Sequence, residues 1–287
     1  MDNATGWGPA VDARFLNAGI PYERLDIGRG DSLTLLDAAI SRGMKVLPLY
    51  SSGDTGNLND VTPAAVSSDI STLAPELVAR GITTLEFGNE VYNSISVHQY
   101  AALYHAAHVA AAGRIRLIAV ATTDYYDARR GGSGNWFLDL KTSLPGGASE
   151  VDGWSIHPYG PMTHLCGDGY GWPMMGPLHT ESVSAGFSPT LPWYITEIGQ
   201  QTWGNGLECQ APVTESVQAA DLNQYLTDIK NDYPWVVWFD WYSSCDDSSG
   251  GFGLVNENTA GECGVAGTTV RPAFAAMAGW VAANGQG

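Results

Sequence analysis

Two stretches of the chain finish on a glutamate where a strand should end. In residues 83–93, TTLEFGNEVYN, the alternation of Leu85 and Phe87 runs into Gly88, Asn89 and Glu90. In residues 191–200, LPWYITEIGQ, a β-branched and aromatic run closes on Thr196, Glu197 and Gly199. Each reads as a short buried strand that delivers a carboxylate to solvent at its tip. Two carboxylates delivered this way suit a division of labour. One carboxyl stays protonated to expel a leaving group, while the other stays ionised opposite a developing positive centre. Glu86 lies four residues before Glu90 and shares its face by the period of two. It reads as a barrel-interior or salt-bridging residue, not a catalyst.

The elements that must carry these tips alternate in type. A helical pattern over 9–19 stops at Gly19 and leads to a strand at 20–27. A helix over 32–43 has Ser32 as its cap and Gly43 as its stop, and the strand 44–50 carries Pro48 near its end. From Thr62 a helix with Pro63 in its first turn runs to Gly81 and feeds the Glu90 strand. A strong Ala-rich helix over 97–113 precedes the strand 114–122. Then come a helix over 135–144, a strand over 151–160, a long excursion over 161–190 with a short helix near 177–185, and the Glu197 strand. A Thr214-capped helix over 214–232, a strand over 235–244 and a closing helix over 271–284 complete the order. Alternating helices with strands apolar on both faces mean a parallel sheet. No GxGxxG follows a strand and there is no P-loop. Polar and aromatic residues gather just after each strand, which favours an α/β fold of the (β/α)8 TIM-barrel type over a doubly wound sheet, as one catalytic domain over 1–287. Before the first helix stands only MDNATGWG, too poor in β-branched residues for a buried strand. The first strand is therefore expected to be rudimentary or missing, leaving seven regular strands, with the gap narrowed directly or covered by the N-terminal segment.

Composition narrows the partners. The 287 residues carry 13 Lys and Arg against 30 Asp and Glu, a net charge of −17. That argues against nucleic acid and anionic membrane surfaces. No run of 18 apolar residues predicts a membrane span. The N-terminus lacks a signal-peptide pattern, so any such peptide is expected to have been removed. Ten Trp and 13 Tyr, several beside Gly, Pro and Asn, suit either a core or the walls of a sugar-binding cleft. Cys166, Cys209, Cys245 and Cys263 lie in loops of the second half without zinc spacing. Loop proximity favours Cys166–Cys209 and Cys245–Cys263, and hence an oxidising, secreted or periplasmic setting.

With these residues in hand the chain resembles the clan GH-A retaining glycoside hydrolases. The resemblance rests on Arg24 near the end of an early strand, Asn89-Glu90, His157-Pro158-Tyr159, Glu197, and Trp238 or Trp241. TEIGQQTWG and the closing GFGLVNENT…RPAF also resemble small endo-glycanase members. The resemblance implies a barrel that cleaves a polysaccharide or oligosaccharide by double displacement, with Glu90 as acid/base and Glu197 as nucleophile, while the many Trp and Tyr and the few basic residues favour a neutral β-linked substrate over uronic-acid polymers. It implies that Arg24 keeps the nucleophile ionised, that Asn89 grips the sugar 2-hydroxyl, and that Tyr159 hydrogen-bonds Glu197. Trp241, nearer the strand end than Trp238, would floor the reacting subsite. His157, Tyr50 and Trp203 complete the expected substrate-binding set, with no metal and no cofactor. The partner is a carbohydrate, and the protein a monomer, or a dimer if the first strand is absent.

Plainer readings stand beside these. Arg24 suits a structural ion pair with Glu23 or Asp26, and His157 a hydrogen-bonded loop residue. RGD at 29–31 suits a polar loop, and the acidic run 245–263 lacks regular calcium spacing. A non-catalytic carbohydrate-binding barrel would have no need of both glutamates. A metal-dependent barrel hydrolase needs His and Asp clusters on the strand ends, where only His157 stands.

Overall fold

The computed structural model describes residues 9–28, 33–51, 58–206, 209–246, 250–256 and 268–285. Seven parallel strands follow one another in spatial as in chain order. They are β1 (Tyr22–Asp26), β2 (Lys45–Tyr50), β3 (Thr84–Phe87), β4 (Arg116–Val120), β5 (Gly153–Ile156), β6 (Trp193–Ile198) and β7 (Val236–Trp241). Among the described residues, the expectation of a barrel with seven regular strands holds. The two end strands approach each other, and the Tyr22 and Trp238 rings meet edge to face at 5.1 Å across the seam. Residues 1–8, and with them the question of an eighth strand, lie outside the described residues.

Helices α1 (Pro9–Asn17), α2 (Thr34–Arg42), α3 (Pro63–Ala79), α4 (Val97–Ala111), α5 (Asp124–Arg129), α6 (Trp136–Ser143), α7 (Met175–Ser184), α8 (Glu215–Asp232) and α9 (Pro272–Asn284) accompany the strands. Local chemistry sets their ends. Thr62 and Thr214 cap α3 and α8 by accepting from Ala65 N and Val217 N. Ser96 and Gln99 form a capping box on α4. The short helix α5 escaped the periodicity reading, because six residues span less than two turns. Ser32, the expected cap of α2, lies outside the described residues, and Leu33 precedes the helix.

The core fills the layer between the strands' outer faces and the helices. There Phe87 packs on Tyr100 and Tyr104 of α4, whose hydroxyls donate to the Phe87 and Leu117 carbonyls at 2.8 and 2.6 Å. Burying those rings therefore leaves no polar atom unpaired. Inside the barrel a smaller cluster of Leu47, Ile118, Tyr194 and Trp238 plugs the end where the strands begin. Pro48 does not weaken β2, which continues to Tyr50 with Pro48 opposite Leu25. Alternation points its nitrogen toward β3, and the β2–β3 ladder begins only at Leu49–Glu86. The missing donor costs no ladder bond there.

Candidate active site

The Glu90 strand ends earlier than the sequence pattern suggests. β3 stops at Phe87, Gly88 turns with φ 87°, and Glu90 itself holds a left-handed φ of 43° ahead of a 3-10 turn over Val91–Asn93. A non-glycine residue rarely adopts that conformation. Here it swings the carboxylate off the strand line and toward the barrel axis. Glu197 needs no such turn, since it belongs to β6.

Arg24 joins the interior. It is fully buried on β1, and its guanidinium serves three acceptors: Glu86 Oε2 at 2.5 Å, Glu197 Oε1 at 2.6 Å and Asn89 Oδ1 at 2.9 Å. The forked geometry of arginine makes such a hub possible. Neither sequence candidate for its ion pair is its partner. Asp26 accepts from Ser51 at 2.7 Å, and Glu23 sits in the outer layer, where burial and then the charge of Asp12 push its carboxyl up to about 7. Glu86, read as a salt-bridging interior residue, is that.

His157 follows β5 and lies between the two carboxylates, with Nδ1 3.2 Å from Glu90 Oε1 and 3.5 Å from Glu197 Oε2. Its Nε2 is 3.1 Å from Thr196 Oγ1, and the Thr196 hydroxyl donates to Glu86 Oε1 at 2.8 Å. A hydroxyl has one proton, so Thr196 must accept from His157, and Nε2 carries a hydrogen. Nδ1 faces only carboxylate oxygens, which makes it a donor too. Burial opposes that imidazolium, yet Glu197's charge and the Glu90 hydrogen bond outweigh burial and raise the His157 pKa above its ordinary 6.5. Burial would likewise raise the Glu90 pKa. The His157 bond and charge, with Arg24 and Asn93 behind them, hold it below the usual carboxylate value instead. Tyr159 donates to Glu197 Oε2 at 3.0 Å, and burial, then the charge of Glu197, keeps the phenol protonated far above its usual range.

A cavity of about 410 Å³ opens over the pair, walled by Tyr92, Asn93, Tyr126, Tyr159, Tyr170, Gln201, Asn205, Tyr242 and Phe252. Rings and amides make up this wall, and no lysine or arginine is among its described residues. Cys166 and Cys209 are joined as expected. Their bond ties the loop bearing Tyr170 to the loop bearing Asn205. Cys263, and so the expected Cys245–Cys263 pair, lies outside the described residues, as do RGD 29–31 and most of 245–263.

Three expected sugar contacts are elsewhere. Tyr50 faces the outer layer, stacks on Phe87 at 5.4 Å and donates to Asp69 at 2.8 Å. Trp241 is fully buried against Tyr225 of α8, its indole donating to the Phe252 carbonyl at 2.9 Å. Trp238 points into the barrel but at its opposite end, against Tyr22. Trp203 is half exposed, its indole 3.2 Å from Asp246 beside the cavity-lining Gln201. The aromatic that does reach the cavity from β7's end is Tyr242. Its signal was present: from Trp238 the period of two runs through Asp240 to Tyr242, whereas Trp241 falls on the outer face. Tyr92 belongs to the 3-10 turn, Tyr126 to α5, and Tyr170 and Phe252 to loops, and none of them carries a comparable pattern.

Arrangement and fold together define a (β/α) barrel with a paired-carboxylate centre at the C-terminal ends of its strands, the face where barrel active sites lie. Neither a protein-family model nor a curated protein matches the chain. Among solved structures the barrel is similar to XacCel5A, at 13% identity and a TM-score of 0.63 over 95% of this chain and 89% of that one. XacCel5A has also been solved in complex with cellopentaose. A β-glucosidase from Exiguobacterium marinum aligns at 12% identity and a TM-score of 0.62, over 95% and 85% of the two chains. A Faecalibacterium prausnitzii β-glucuronidase aligns at 13% and 0.57, over 98% of this chain and 47% of that one. Identities this low establish a shared fold.

Proposed function

We propose that this barrel is a retaining glycoside hydrolase of clan GH-A type, acting on β-linked neutral polysaccharide or oligosaccharide. The observation that carries the reading is the single imidazole nitrogen within 3.2 and 3.5 Å of oxygens of both Glu90 and Glu197. Carboxyls close enough to share one nitrogen suit direct attack, for which a separation of about 5–5.5 Å is characteristic. Glu197, held by Arg24 and Tyr159, attacks the anomeric carbon as the glycosidic bond breaks. Glu90 gives its proton to the departing oxygen, then takes one from the water that releases the sugar. Asn89, clamped by Arg24, presents its amide to the 2-hydroxyl. The wall of rings and amides, with no lysine or arginine among its described residues, supports a neutral sugar, and the neighbours with the same fold support a carbohydrate substrate more broadly. The Cys166–Cys209 disulfide supports an oxidising compartment. Incubation with a panel of neutral β-glucans, mannans, xylans and galactans, with the anomer of the first product read by NMR, tests the reading. Release of the inverted anomer, or no hydrolysis of any β-linked polymer, would overturn it. Undiminished activity in EDTA separates it from a metal-dependent hydrolase.

The acid's proton is stored on the Glu90–His157 pair. In the free site it rests on His157 Nδ1. A leaving group that displaces water favours the neutral carboxyl and draws it to Glu90. The alkaline limb of kcat/KM therefore reports loss of that proton, at a value above 6.5, the direction in which His157 is shifted. Removing the imidazole in His157→Asn leaves Glu90 to hold the proton alone. The limb is expected to move acidward, because a carboxyl alone ionises at lower pH than the raised imidazole. An unmoved limb would place the proton elsewhere. The same pairing stabilises the fold most between pH 4.5 and 6.5; the contribution fades as the pH rises through the raised His157 value and as it falls through the lowered Glu90 value.

Tyr242→Ala is expected to raise KM about tenfold with a smaller change in kcat, through loss of a ring against the sugar. Trp241→Phe should leave KM unchanged and lower stability only. The reverse pattern in Michaelis kinetics would return the sugar platform to Trp241.

A further inference from the structure

The other end of the barrel, where the strands begin, holds a second hollow of about 550 Å³. Its lining includes Lys45, the first residue of β2, Arg116, the first of β4, and Arg80. The whole chain has 13 such cations against 30 acidic residues, so three at one mouth run against the charge of the molecule. Arg80 is neutralised by Asp37 and Glu76 at 2.6 and 2.7 Å. The other two have no carboxylate within ion-pair distance among the described residues. Lys45 Nζ lies 4.9 Å from the Tyr22 ring centre and 3.3 Å from its hydroxyl, while Arg116 reaches Thr84 Oγ1 at 3.1 Å. Asp152, whose charge is felt by Tyr194, commits Oδ2 to the Leu117 N–H at 2.9 Å.

The floor has a different character. Leu47, Tyr194 and Trp238 line the hollow and belong to the apolar cluster inside the barrel. The Trp238 indole N–H is taken by Asp240 at 2.5 Å, so the indole offers its ring rather than a donor. Two cations without counterions at the rim of a flat apolar floor match a ligand with one charge and one greasy face.

We propose that this hollow binds a small organic anion of the aryl carboxylate class, with the carboxylate between Lys45 and Arg116 and the ring on Tyr194 and Trp238. Lys45 and Arg116 start strands two apart in the sheet, a spacing of about 10 Å that their long side chains can close around one carboxylate. The site lies at the barrel end opposite the glutamates, and its occupancy does not depend on the catalytic reading.

Isothermal titration of the full chain with cinnamate at low salt tests it, with cinnamamide and acetate as ligands that lack the charge and the ring respectively. Cinnamate is expected to bind with unit stoichiometry, and more weakly as salt is raised. Lys45→Gln and Arg116→Gln should each weaken it about tenfold, with polysaccharide hydrolysis unchanged. Cinnamamide and acetate should each bind at least tenfold more weakly than cinnamate. Equal binding of cinnamamide would remove the cations from the proposal, and equal binding of acetate would remove the floor. Cinnamate affinity unchanged in both variants, or no cinnamate binding at all, overturns the site.

Discussion

Glu197→Ala and Glu90→Ala are each expected to lose polysaccharide-hydrolysing activity by about a thousandfold or more while keeping the barrel. Both carboxylates sit at strand tips rather than in the packed layer, and Glu90's side chain is 36% exposed. The two losses should differ under chemical rescue. Without the Glu197 carboxylate, azide can enter from the face it vacates and attack an activated aryl β-glycoside, forming a glycosyl azide of inverted configuration. Without Glu90, the nucleophile still forms its ester when the leaving group needs no proton. Azide then opens that ester and gives a product of retained configuration. NMR of the two azides decides the roles. Swapped stereochemistry would exchange acid/base and nucleophile, and near-wild-type hydrolysis of natural polymer by either variant would remove both.

Arg24→Met is expected to give the largest loss of stability of any single substitution at the site, about 3–5 kcal/mol. The side chain is fully buried, and its removal leaves Glu86 and Glu197 facing each other's charge without the guanidinium between them. Arg24→Lys is the informative companion. It keeps the charge, but a single ammonium cannot present the fork that reaches three acceptors. It should recover part of the stability and little of the rate, because Asn89 and Glu197 would no longer be held together. Urea unfolding measures the first quantity and single-turnover kinetics the second. A Met variant as stable as the parent would mean that the carboxyls are not ionised partners of Arg24.

The parallel barrel, and the placing of Glu90 and Glu197 near strand ends, could be read from the order of residues alone. Buried strands alternating with capped helices leave few arrangements other than a parallel barrel, and residues at the ends of those strands meet at one mouth whatever the details. Arg24, Asn89, His157 and Tyr159 were legible for the same reason, since each lies within a few residues of a strand end. Tyr242 was partly legible: strict alternation from Trp238 selects it, but the larger ring beside it, Trp241, takes the outer face. Tyr50 shows the same limit, because nearness to a strand end does not say which face a ring takes. Three features became visible only once the chain was folded: the left-handed turn that aims Glu90, the position of His157 between the carboxylates, and the cavity wall of Tyr92, Tyr126, Tyr170 and Phe252. Each of these depends on contacts between segments far apart in the chain, as with Glu86 and Thr196, 110 positions apart yet 2.8 Å from oxygen to oxygen. A repeating pattern along a strand records which face is buried. It carries no record of which distant residue will be waiting there.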